Sequence, residues 1–174
     1  MKQALIVIDV QEIFFKQPQN LLYNSVQLVN NINRLIDQAH EKNTPVIFIQ
    51  HTSQDERDDL FEGKDTWKLH ENLNIRHTDK IIQKTTWDSF YQTELLDYLK
   101  DNEIEQLIFA GAQTEFCMDT TIRAAFSLGF QNNLLFKNTH STVNNAILDA
   151  HTIIKHHENI WNNRFLTIVE WDKE

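Results

Sequence analysis

The sequence predicts a three-layer α/β fold: a doubly wound, mainly parallel sheet of six strands with helices on both faces. Three observations carry this. Short apolar runs recur along the chain, amphipathic helical patterns lie between them, and the runs are continuous rather than alternating. Continuous runs are what strands covered on both faces require, and strand–helix alternation implies right-handed crossovers.

The strand candidates are Ala4–Asp9, Pro45–Gln50, Lys80–Lys84, Gln106–Gly111, Asn133–Lys137 and Phe165–Glu170. In Ser25–Lys42, Leu28, Ile32, Leu35, Ile36 and Ala39 recur at three and four residues, the spacing of one helix face. Thr93 suits the cap of a helix over Glu94–Asn102. A helix from about Glu115 would bury Met118, Ile122, Ala125 and Phe126, with Gly129 as its C-terminal cap. Asn144–Asn159 reads as one more helix, with Ile147, Ala150, Ile153 and Ile154 on one face. His51–Thr78 is polar and has little periodicity; a long excursion after a strand's carboxyl end usually serves a site. The length suits one domain spanning residues 1–174, with no repeat or linker.

The formal net charge is −9 and there is no basic cluster. Nucleic-acid binding is not expected, since it relies on Lys and Arg displacing counterions. No stretch approaches the apolar length of a membrane span, and the start does not read as a signal peptide. One cysteine excludes an internal disulfide and fits a reducing compartment. The expectation is a cytoplasmic, soluble protein without nucleic-acid or membrane partners.

Ligands of open α/β sheets bind beyond the carboxyl ends of the strands. Few polar residues stand there. Asp9 ends the first strand, Lys84 ends the third, and Cys117 opens the helix after the fourth. Taken singly, each has a plain alternative: a turn carboxylate, a solvated ammonium, an inert small hydrophobe.

As a set, they resemble a family. "DVQ" at Asp9–Gln11, "KTTWDSF" at Lys84–Phe90 and above all "GAQTEFCMDTTIRAAFSLGF" at Gly111–Phe130 resemble the isochorismatase-like cysteine hydrolases. The resemblance runs from about Ala4 to Thr142. It implies strand order 3-2-1-4-5-6, a catalytic triad of Asp9, Lys84 and Cys117, and a homodimer or homotetramer. It also implies a cis peptide between Ala112 and Gln113, with the backbone N–H groups of Gln113 and Cys117 as an oxyanion hole.

Physical chemistry gives each role a reason. A free thiol has a pKa near ~8.5 and is mostly protonated at neutral pH. A helix N-terminus and the Lys84 ammonium would favour the thiolate. Asp9 could take the thiol proton and return it to a leaving amine. The reaction so implied is hydrolysis of a small carboxamide through a Cys117 acyl-enzyme. Two alternatives stand beside it: non-amide hydrolysis of the isochorismatase type, and an idle or redox-sensing thiol domain. The latter is weakened by the lack of a second cysteine to resolve an oxidised one.

Phe14, His51, Trp67, Trp87 and Phe90 are candidates for the substrate pocket; for the aromatic ones core packing is the alternative. Nicotinamidases of the family carry an Asp-x-His metal motif after the second strand. Here Gln50 and Thr52 stand near those positions, and His51, His70, Glu71 and His77 show no distinctive ligand spacing. No metal or other cofactor is expected. "KNTHST" (Lys137–Thr142) also departs from the family's usual acidic pair, which bears on substrate preference.

Overall fold

A computed structural model describes residues 1–171. Its six strands are β1 (Gln3–Ile8), β2 (Val46–His51), β3 (Lys80–Lys84), β4 (Gln106–Ala112), β5 (Leu134–Ser141) and β6 (Thr167–Val169). They form one sheet in the order β3-β2-β1-β4-β5-β6, and every pairing is parallel. The helices are α1 (Ile13–Lys16), α2 (Ser25–Glu41), α3 (Leu95–Asp101), α4 (Asp119–Ser127) and α5 (Ala150–Trp161).

The continuous apolar runs explain the layering. Along β1, Ile6 and Ile8 face Ile47, Ile49 and Phe109 in a core closed by Leu95, Leu99, Ile122 and Trp161 of α3, α4 and α5. Leu5 and Val7 point the other way, to Phe48, Ala110 and the apolar stripe of α2. Each strand residue so buried contributes about 1.5–3 kcal/mol. No helix among the described residues is long and apolar enough to cross a membrane.

Several boundaries differ from the sequence reading. β3 is an edge strand: Ile81 and Gln83 are exposed while Ile82 and Lys84 are buried. The two-residue period thus turns Lys84 inward on the same face as Ile82. β5 runs on to Ser141 through an irregularity in its pairing with β4, where Asn138 is left-handed (φ 59°). β6 is shorter than expected, three residues at the far edge. The last helix starts at Ala150, not Asn144, and Ile147 is 88% exposed. Polar side chains take the backbone there: Asn145 Oδ1 accepts the N–H groups of Ile147 and Leu148, and Asp149 caps Thr152 N–H at 2.7 Å. Gly129 does terminate α4, at φ 104°, with Phe130 N–H donating to Ala125 O. Phe126 is half-buried, edge-on to Phe165.

Candidate active site

Three strand ends meet at the site. β1 stops at Ile8, and Asp9 turns with φ 50°, a left-handed conformation that Asp tolerates better than most residues. Beside it, Ile8 pairs with Gly111 of β4. Gly111 has φ 132°, and a Cβ there would run into the Ile8 carbonyl oxygen. Only glycine lets the two chains approach this closely just before they diverge. The Ala112–Gln113 peptide that follows is cis.

The segment Thr114–Met118 is not the first turn of an ordinary α-helix. It is a π-helical turn, in which Met118 N–H reaches back five residues to Gln113 O at 3.2 Å. Cys117 lies within it, 8% exposed. α4 then continues from Asp119.

Lys84 Nζ is the centre of the cluster. It lies 2.7 Å from Asp9 Oδ2 and donates to Cys117 Sγ at 3.2 Å and to Thr86 O at 2.9 Å. His51 Nδ1 is 3.2 Å away and shares the same three N–H donors with these partners. Asp9 and Lys84 are each 2% exposed. Burial alone would lower the Lys84 pKa, but Asp9 and Cys117 outweigh it and hold the ammonium charged. Burial, and next the Lys84 charge, push His51 below its usual value, so the ring is neutral.

The thiol itself departs from the sequence expectation. Burial, reinforced by the Asp9 carboxylate, raises the Cys117 pKa well above the usual thiol range, and Lys84 offsets this only in part. A thiolate beside an ionised Asp9 would leave the buried cluster with a net negative charge. The proton therefore stays on sulfur unless a neighbour takes it.

Asp9, His51 and Cys117 bring their donor atoms within 4.8 Å of one another, a spacing that could hold a metal. Here the Lys84 ammonium lies against all three, so a cation of the protein's own already fills the position. Gln50 and Thr52 are used otherwise. Gln50 Nε2 donates to Trp67 O at 3.0 Å, and the Trp67 indole N–H donates to Thr52 Oγ1 at 2.9 Å. These donors do not fit a metal site. His70 lies elsewhere, paired with Glu12 at 3.2 Å and stacked on Phe15.

The remaining pocket candidates separate. Trp67 is pinned over the strand ends by the bonds just given. Trp87 is 59% exposed. Phe90 is buried against Phe130, and Phe14 is half-buried beside the α2 core. Gln113 is half-buried.

Gln11 was visible in the sequence only as part of "DVQ", yet it organises the loop after β2. Its side-chain amide accepts His51 N–H (2.8 Å) and donates to His51 O (3.0 Å) and Trp67 O (2.7 Å). Glu12, 3% exposed, likewise accepts Glu71 N–H at 2.8 Å. The unperiodic segment is thus fastened to the first strand's end by two adjacent polar residues.

The profile of the Isochorismatase domain covers residues 3–154. The chain belongs to the isochorismatase family of hydrolases. The uncharacterized isochorismatase family protein YrdC of Bacillus subtilis (strain 168) is 33% identical over 177 residues, covering 99% of this chain and 94% of that protein. A crystal structure of an isochorismatase family protein superposes with a TM-score of 0.90 at 40% identity, over 97% of this chain and 98% of that one. Nicotinamidase 3 of Arabidopsis thaliana is 26% identical over 141 residues, 74% of this chain and 68% of that protein.

Proposed function

We propose that this isochorismatase-family protein hydrolyses the C–N bond of a small carboxamide, with Cys117 as nucleophile, Asp9 as proton shuttle and Lys84 as fixed positive charge. The observation that carries the reading is the buried Lys84 ammonium bridging Asp9 Oδ2 and Cys117 Sγ. It makes a neutral, one-proton system. Asp⁻, LysH⁺ and SH have the same total charge as AspH, LysH⁺ and S⁻, so the proton can pass from sulfur to carboxylate without adding net charge to a site that burial has dried.

The steps follow. As Cys117 Sγ attacks the carbonyl carbon, its proton moves to Asp9. The oxygen gains negative charge, and the N–H groups of Gln113 and Cys117 receive it in the tight turn after β4; such donors are worth about 3–4 kcal/mol each. Asp9 then protonates the nitrogen, ammonia leaves, and a Cys117 thioester remains. The ionised Asp9 next takes a proton from water, which attacks the thioester and releases the acid and the thiol. His51, neutral and in contact with Lys84, and Trp67 are the candidates to contact the substrate. A nicotinamidase among the relatives supports an amide substrate. The ammonium filling the three-donor cluster supports chemistry without a metal.

We propose further that residues 1–174 act as one hydrolase domain in the cytoplasm. Exposed Trp87, Tyr91 and Phe116 support a homodimer or homotetramer; sedimentation equilibrium decides it.

The test is ammonia release from a panel of small carboxamides, nicotinamide included, with and without a chelator. Release that survives the chelator and disappears in Cys117→Ser is the expected result. Turnover by Cys117→Ser at the native rate would refute the assignment.

A further inference from the structure

Behind the nucleophile turn lies a second buried polar chain that the chemistry above does not use. Thr114 opens the turn and is fully buried; its hydroxyl lies 2.9 Å from His140 Nδ1. His140, at the end of β5, has a side chain with no exposure, and its Nε2 faces Glu158 Oε1 of α5 at 3.5 Å. The other Glu158 oxygen is held by Lys137 Nζ at 2.7 Å. Lys137 and Glu158 line an open surface hollow of about 680 Å³ together with Asn162 and Arg164. Burial keeps His140 below its usual pKa, so the ring is neutral and carries one proton. A carboxylate facing Nε2 favours that proton on Nε2. On that tautomer Nδ1 is the acceptor and the Thr114 hydroxyl the donor; Nε2 itself meets Glu158 by an electrostatic contact rather than a hydrogen bond.

α5 grips the same turn a second time. The Trp161 indole N–H donates to Asp119 Oδ1 at 2.7 Å, just past Met118, and the Trp161 ring lies 5.2 Å from the His140 ring. The segment carrying Cys117 is therefore held at its first residue by His140 and at its far end by Trp161.

We infer that His140, with its tautomer set by Glu158, is a positioning residue that holds the nucleophile turn through the Thr114 hydroxyl. The inference rests on Cys117 being the nucleophile, but its test does not depend on the substrate. Because Cys117 is the only cysteine, alkylation by iodoacetamide at fixed pH, followed by intact mass, reads its placement directly. Thr114→Val keeps the shape and loses the donor; Thr114→Ser keeps the donor. The expected result is an alkylation rate about tenfold lower in Thr114→Val, recovered to within about threefold by Thr114→Ser. Glu158→Gln should fall in the same direction by less. On any carboxamide found to be hydrolysed, kcat should follow the alkylation rate while KM holds. Native alkylation rates in both Thr114→Val and Glu158→Gln, or a Thr114→Ser as impaired as Thr114→Val, would overturn the inference. Loss of thiol reactivity without any amidase activity would uphold it and place the failure in the amide reading.

Discussion

Two buried polar clusters flank the same turn and differ in kind. In front, Asp9, Lys84 and Cys117 form a group of no net charge in which, on the proposed reaction, one proton moves; behind, Thr114 meets His140, whose other nitrogen faces Glu158. The front one is built from strand ends, so its groups can converge on a reacting atom. The back one joins β5 to α5, so its groups brace the backbone. Burial raises the thiol pKa in front and lowers the imidazole pKa behind. Both shifts keep a group neutral, but only the front cluster has a neighbour ready to change that. Burial is common to both clusters; on the proposed reaction, what separates them is a carboxylate within reach that can take the proton from the buried group.

The largest effects are expected in the front cluster. Cys117→Ala and Asp9→Asn should each lower kcat by at least about 10³-fold, and the double variant should be little worse than either, because the residues act as a unit. Near-additive losses would separate their roles. Lys84→Met should cost stability as well as activity. It leaves the Asp9 carboxylate buried without its cation, a change worth about 3–5 kcal/mol. Chemical denaturation measures it, and a loss below about 1 kcal/mol would mean that the pair is not held as described.

Gln11→Leu should have an intermediate effect. It strips partners from the His51 N–H and C=O, about 2–3 kcal/mol, while Trp67 O keeps Gln50 Nε2, and should raise KM more than it lowers kcat. The smallest effect is on pH dependence. His51 and His140 have folded pKa values below the unfolded value of 6.5. The unfolded chain therefore binds more protons in this range, and stability rises with pH. Their contribution is full above about pH 6.5 and is lost as pH falls below it. Thermal midpoints should drop from pH 7 to pH 5, and less steeply in His140→Gln. An unchanged slope would remove His140 from the account.

The front cluster was legible in the sequence because its residues sit where strand periodicity ends and a thiol stands in a specific motif. β1, β2 and β4 were legible because both their faces are apolar. The back cluster was not. Thr114, His140 and Glu158 come from three distant segments, and nothing in their spacing announces that β5 and α5 bring them together. The same holds for Gln11, whose three bonds reach a loop with no periodicity of its own. The start of α5 was misread because apolar Ile147 fits a helical stripe, while Asn144 and Asn145 take the backbone N–H groups instead. Local side-chain competition of that kind outweighs a weak amphipathic pattern.

The most direct test of the central claim is intact-mass analysis of the protein quenched during turnover of an active carboxamide. The expected result is an adduct on Cys117 equal to the substrate less ammonia, formed and lost at rates consistent with kcat. Steady turnover by a Cys117→Ala variant, with no adduct on the native protein at any time, would contradict it.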